Sequence, residues 1–240
     1  LNKRFQTKLY YTMFYSPAQL IYTVSLFFLV TAVSGLTTGD GNFDYFINTD
    51  GISVTITAGR SSTIPASIDA LPVTIIGTNA FKNTGGWSGA TLTIPSNVIE
   101  IQSSAFYGIN VRHVIIPNSV KKIFSNAFRN CQSLETVTGG YRVESFGSQV
   151  FYNCWRLKSL YIGSSCTSIG SQLIEACHAL ETLTVSSSNP NYAAIGTVLF
   201  SKDYSVLISA PSTSGHYIIP DTVNTVESYA FSNQNYNNID

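Results

Sequence analysis

Charge is what this sequence has least of. Asp, Glu, Lys and Arg together make up 11% of its 240 residues, well under the usual quarter. With no basic stripe anywhere in it, the chain lacks the electrostatic footprint that recruits nucleic acid. Formal net charge is zero; beyond residue 35, ten basic residues stand against thirteen acidic ones, a net of −3. Four cysteines are too few for a disulfide scaffold. No Cys-x-x-Cys or His-x-x-x-His pair offers a zinc ligand set, and no glycine-rich loop follows a strand pattern to cradle phosphate, since Gly85 and Gly86 fall in an insertion. No metal or cofactor is therefore expected. The scarcity of charge does not mean disorder: 44% of the residues are hydrophobic and 12% aromatic, ample for a core.

What the chain has is repetition. Read in the phase of their apolar residues, VRHVIIPNSVKKIFSNAFRNC (111–131), LETVTGGYRVESFGSQVFYNC (134–154) and LKSLYIGSSCTSIGSQLIEAC (157–177) superpose residue for residue. Val114, Val137, Leu160 and Leu183 recur every 23 residues, as do Cys131, Cys154 and Cys177. Ile123, Phe146 and Ile169 form a third column, and Phe128, Phe151 and Ile174 a fourth. Self-similarity at this period is the signature of a solenoid. Ile101 and Phe106 precede their columns by 22, which adds a coil over 92–108 with a one-residue deletion. Ala80-Phe81 marks a degenerate first repeat over 64–83, followed by an insertion at 84–89 that holds Trp87.

Each unit opens as in Leu157-Lys-Ser-Leu160-Tyr-Ile162, where period-two alternation points Leu160 and Ile162 inward on a short strand and Ser159 and Tyr161 outward. Pro95, Pro117 and Pro220, or Gly140 and Gly163 in their place, end the strand. Val120, Val143 and Cys166 then turn inward, and a short Ser-x-Ala-Phe helical turn tucks Phe106, Phe128 and Phe151 into the core. One coil cannot bury its own edge, so stability comes from stacking. The expected fold is an α/β, β-dominated solenoid, a right-handed superhelix with a parallel sheet along one face. All four cysteines occupy apolar columns and read as buried small hydrophobes, although coils about 4.8 Å apart leave a disulfide between neighbours possible.

The ends carry separate signals. Residues 1–35 combine Lys3, Arg4 and Lys8, an apolar run at 20–33 and the small residues Ala32, Ser34 and Gly35, which fit a secretory signal peptide or, uncleaved, a membrane anchor. Met13 is a candidate start, or the sequence is a fragment. In 36–60, alternation at Phe43, Tyr45 and Ile47 and again at Ile52, Val54 and Ile56 flanks an Asn48-Thr49-Asp50-Gly51 turn, a hairpin suited to capping the solenoid's open edge. The solenoid then runs over 61–240. An insertion at 186–216 interrupts it with a second hairpin around Ser201–Ser205, and the chain stops as a further strand begins at Tyr236 and Ile239, as though truncated.

The unit resembles the BspA-type leucine-rich repeat, roughly Leu-x-x-Ile-x-Ile-Pro-x-Ser-Val-x-x-Ile-x-x-x-Ala-Phe-x-x-Cys, with 111–131 the best copy and Gly139-Gly140 and Leu173-Ile174 as departures. The resemblance spans the chain from Phe43 to its end. It implies secreted or surface proteins of host-associated bacteria and parasitic protists, some acting as adhesins for matrix proteins or other cells.

No residues assemble an enzyme. His178 follows Cys177, but adjacent residues point apart and Cys177 lies in a core column. What remains is a surface. The outward strand columns read Thr91, His113, Thr136, Ser159, Thr182 and Thr93, Ile115, Thr138, Tyr161, Thr184. These threonines suit strands without any binding role; solenoids also bind along the strand face, with Ile115 and Tyr161 as anchors and Lys158 beside them. The Thr-x-Thr pairs at 91/93, 136/138 and 182/184 recur as in ice-binding faces, but His113, Ile115 and Tyr161 interrupt that lattice. The reading is a non-enzymatic protein that binds other proteins on host cells, matrix or other cells. It has no nucleic-acid partner and touches membrane only through residues 1–35 or sequence beyond 240. The other reading is a spacer that displays further domains.

Overall fold

The computed structural model describes residues 35–51, 53–87, 89–211, 215–231 and 236–239. Residues 1–34 of the leader expected over 1–35, and Ile52 of the hairpin pattern, lie outside the described residues.

The repeat folds into stacked coils held together by three separate ladders. The strands that open each unit, Thr91–Thr93, His113–Ile116, Thr136–Gly139, Ser159–Ile162 and Thr182–Val185, form a five-stranded parallel sheet, the front sheet. On the opposite side of each coil the two-residue strands Glu100–Ile101, Lys122–Ile123, Ser145–Phe146 and Ser168–Ile169 build a second parallel sheet, the back sheet. Pattern reading places a sheet on one face only, because two residues are too short to display alternation. The third ladder joins the Ser-x-Ala-Phe corners through backbone alone: Phe81 N–H bonds Ala105 C=O at 2.7 Å, Phe106 bonds Ala127 at 2.8 Å, and Phe128 bonds Val150 at 3.0 Å.

Those corners are hydrogen-bonded turns and not helices. Asn126 (φ 62°) and Asn130 (φ 61°) both take the left-handed conformation, and so do their equivalents Gln149, Asn153, Gln172 and Ala176. Two such residues four apart prevent a helix from propagating, and asparagine tolerates them better than most. Among the described residues the one helical segment is the 3-10 turn Gly85–Trp87. No described helix is long and apolar enough to cross a membrane.

Side chains inside the coils repeat with the backbone. Phe81, Phe106, Phe128 and Phe151 stack nearly parallel with ring centroids 5.2, 5.2 and 5.6 Å apart. Trp87 and Phe43 meet Phe81 edge-on at 5.9 and 6.4 Å at the end of this column. Cys131, Cys154 and Cys177 form a second internal file of free thiols, each donating from Sγ to a Phe carbonyl of the preceding coil (Phe106, Phe128, Phe151) at 3.2 Å. Burial raises all of these thiols, Cys131 to about 12 and Cys166 to about 11, which keeps them protonated and unreactive.

The back sheet continues past the repeats. Phe43–Ile47 pairs antiparallel with Val54–Gly59, and a short strand Leu36–Thr37 joins their edge. Val54–Gly59 then runs parallel to Leu71–Ile76, which pairs with Glu100–Ile101. After the front sheet, Asn189 is buried and locks the chain by donating to Gly163 C=O at 2.7 Å and Cys166 C=O at 3.0 Å. The interrupting segment contains three antiparallel strands, Tyr192–Ile195, Val198–Ser201 and Val206–Ser209, where sequence patterning shows two. The extra strand turns back at Gly196 (φ 60°). Val206–Ser209 pairs in parallel with Thr225–Val226, so the repeat resumes on the segment that interrupts it. The strand Tyr236–Ile239 pairs with Gly215–Tyr217.

Candidate binding face

The outer face of the front sheet aligns the predicted positions in two rows. Thr91, His113, Thr136, Ser159 and Thr182 stand in direct register across all five strands. In the second row Thr93, Ile115 and Thr138 are in register, and Tyr161 pairs with Thr184. Thr138, Thr182 and Thr184 are exposed, whereas His113, Thr136, Ser159 and Tyr161 are half-buried by their neighbours. His113 Nδ1 lies 2.7 Å from Thr136 Oγ1, so the first row is internally hydrogen-bonded at its centre. Ile115 keeps 42% of its surface in solvent.

Between the third and fourth strands the face changes. The strands Thr136–Gly139 and Ser159–Ile162 share one register pair, Thr136↔Ser159, where the neighbouring strand pairs have four. The cause is local. Gly139 (φ 83°) and Gly140 (φ 67°) replace Ile-Pro and fold the strand end onto the preceding coil, with Gly140 N–H donating to Ile116 C=O at 2.8 Å. A Cβ on Gly139 would stand 2.0 Å from that carbonyl oxygen, so only glycine fits. Two tyrosines occupy the seam: Tyr141 packs edge-on against Tyr161 with ring centroids 5.2 Å apart.

Tyr141, 53% exposed, is absent from the residues predicted for this face. A signal for it exists, because the same repeat position holds Asn118 and Ser164, and an aromatic at a small polar turn position departs from what the fold requires. Lys158 lies on the flank, in a charge row. Its Nζ is 3.3 Å from Glu135, which also faces Arg112 at 3.3 Å; hydrogen bonding from Lys158 and both positive charges hold the Glu135 carboxyl below its ordinary range. At the N-terminal edge a groove of about 300 Å³ opens between Thr91, Thr93 and Pro95 on one side and Ser62, Thr63, Ile64 and Ala66 on the other.

The structure separates the remaining reactive types. Cys177 is buried with its thiol on Phe151 C=O, while His178 is exposed near Trp155, ring centroids 6.5 Å apart. No group of three or more metal-binding side chains occurs among the described residues.

Residues 72–206 match the BspA type Leucine rich repeat region in six copies. Solved structures with a similar fold include the pneumococcal vaccine antigen PcpA (TM-score 0.60, 21% identity, 82% of this chain and 62% of that one). Others are leucine-rich repeat proteins from Bacteroides ovatus (0.57, 18%, covering 82% and 63%) and Eubacterium ventriosum (0.53, 24%, covering 87% and 59%). This chain thus spans about three fifths of the length of these proteins. No curated protein matches it.

Proposed function

This chain belongs to the BspA-type leucine-rich repeat family, and from that premise we propose that it is a secreted or cell-surface protein that binds other proteins through its front sheet, without enzymatic activity. The observation that carries the proposal is the seam at Gly139-Gly140. There the fold leaves Tyr141 and Tyr161 in edge contact, two strands from exposed Ile115, on a surface whose other outward residues are His113 and small hydroxyl side chains. Aromatic anchors ringed by near-neutral contacts are the usual anatomy of a binding hot spot. The low charge of the chain as a whole, with the nearby Lys158, Glu135 and Arg112 paired to one another, favours partners recognised by shape and apolar contact over partners steered by long-range fields. Proteins of host surfaces, extracellular matrix or other cells are the partner class in view, and the apolar run at 20–33 supports export.

A pull-down with the chain from residue 36 onward against host surface and matrix proteins tests the reading. Replacing Ile115 and Tyr161 together by Ser is expected to weaken a captured complex by about 2 kcal/mol or more. Unchanged capture would remove the front sheet as the site.

A further inference from the structure

A second surface stands apart from the front sheet, at the corner where the Ser-x-Ala-Phe turns stack. Its side chains are planar, polar and locked to one another from coil to coil. Asn153 Nδ2 donates to Asn130 Oδ1 at 2.9 Å, and the Trp155 indole N–H donates to Asn153 Oδ1. The indole is thereby fixed in orientation, yet the side chain remains 47% exposed. One coil away, the Arg129 guanidinium lies 4.6 Å from the centroid of the Tyr152 ring. Among the described residues its hydrogen bonds leave from Nη1, to Asn126 Oδ1 at 3.3 Å and to Gln149 Oε1. Its Nε is buried without a partner among the described residues.

The fold does not demand these residue types. In repeat phase Trp155 stands where Gln132 and His178 occur, and Arg129 where Lys82, Tyr107, Tyr152 and Glu175 occur. We propose that this corner binds an acidic saccharide, with a sugar ring on Trp155 and the sugar's carboxylate on Arg129 Nη2, the guanidinium nitrogen left beside the buried Nε and the hydrogen-bonded Nη1. Each part of the ligand meets matching chemistry. The indole face accepts the apolar C–H face of a pyranose, Arg129 Nη2 offers a charged donor to a carboxylate, and the amide hydrogens that Asn130 does not use on Tyr107, nor Asn153 on Asn130, are left for hydroxyls. Because the side chains are already held in place, little rotamer entropy is lost on binding. Arg156, exposed beside Trp155, adds a second positive charge.

Titration calorimetry of the full chain with tri-galacturonic acid, maltotriose and triglutamate tests the proposal. The acidic trisaccharide is expected to bind about tenfold more tightly than the neutral one. Trp155→Gln, which copies a neighbouring repeat at an exposed position, should weaken saccharide binding about tenfold. Arg129→Gln should remove the preference for the acid. If that variant fails to fold by circular dichroism, Arg129→Lys should still reduce the preference. The front-sheet variant carrying Ser at 115 and 161 should bind the saccharide unchanged. No saccharide binding by folded protein, or triglutamate binding as well as tri-galacturonate with Trp155→Gln without effect, would overturn it.

Discussion

Glu175 is the residue whose surroundings depart furthest from what its chemistry prefers. It is fully buried at the junction of the last regular turn and the inserted strands; Oε1 accepts from Ser209 Oγ at 3.2 Å, and Oε2 has no partner among the described residues. Desolvation raises its carboxyl from the ordinary 4.5 to about 7, against hydrogen bonds that lower it. A raised acid pKa means that the folded state holds its proton where the unfolded state has released it. The contribution of Glu175 to stability is therefore greatest below pH 4.5, falls as pH rises toward 7, and stays level above, a loss of at most about 3 kcal/mol. Glu175→Gln should stabilise the protein by about 1–2 kcal/mol at pH 8 and by little at pH 4, as read from urea unfolding at the two pH values. Sequence periodicity cannot find such a site. It places residue 175 one beyond the Phe column, beside Tyr152 and Arg129 in phase, and the burial comes from a segment that has no counterpart in the repeat.

At the scale of elements, the front strands were legible because their inward residues alternate over three or four positions, as Val114 and Ile116 do. The back strands were not, since Lys122–Ile123 and its equivalents offer a single inward residue each. The five-strand alignment of the predicted face followed from repeat phase, but the seam that sets its chemistry did not. Seeing it requires the knowledge that Gly139-Gly140 folds one coil away from the next. Gly139→Ala, with a positive φ and a backbone oxygen 2.0 Å from the added methyl, should cost about 2 kcal/mol or more. Loss of the protein's midpoint in thermal unfolding would register that cost. If the tyrosine pair depends on the seam, weakened partner binding should accompany it.

For the molecule as a whole, stability resides in neighbour contacts, and its reporters are already in place. Four buried thiols, raised by desolvation to about 11 or beyond, should give no reaction with Ellman's reagent in the native state and four equivalents in denaturant. Fractional reaction before the global transition would reveal coils opening singly, because stacked repeats unfold by nearest-neighbour steps. The direction of those contacts has a mechanical consequence. The hydrogen bonds of all three ladders run along the stacking axis, so tension between the two ends of the array loads them one coil at a time and not in concert. Each 23-residue coil occupies about 4.8 Å of that axis and releases about 80 Å of chain when it peels away. A tether built this way would yield in discrete lengths under flow, and refold when slack, while the coils still stacked kept their exposed face intact.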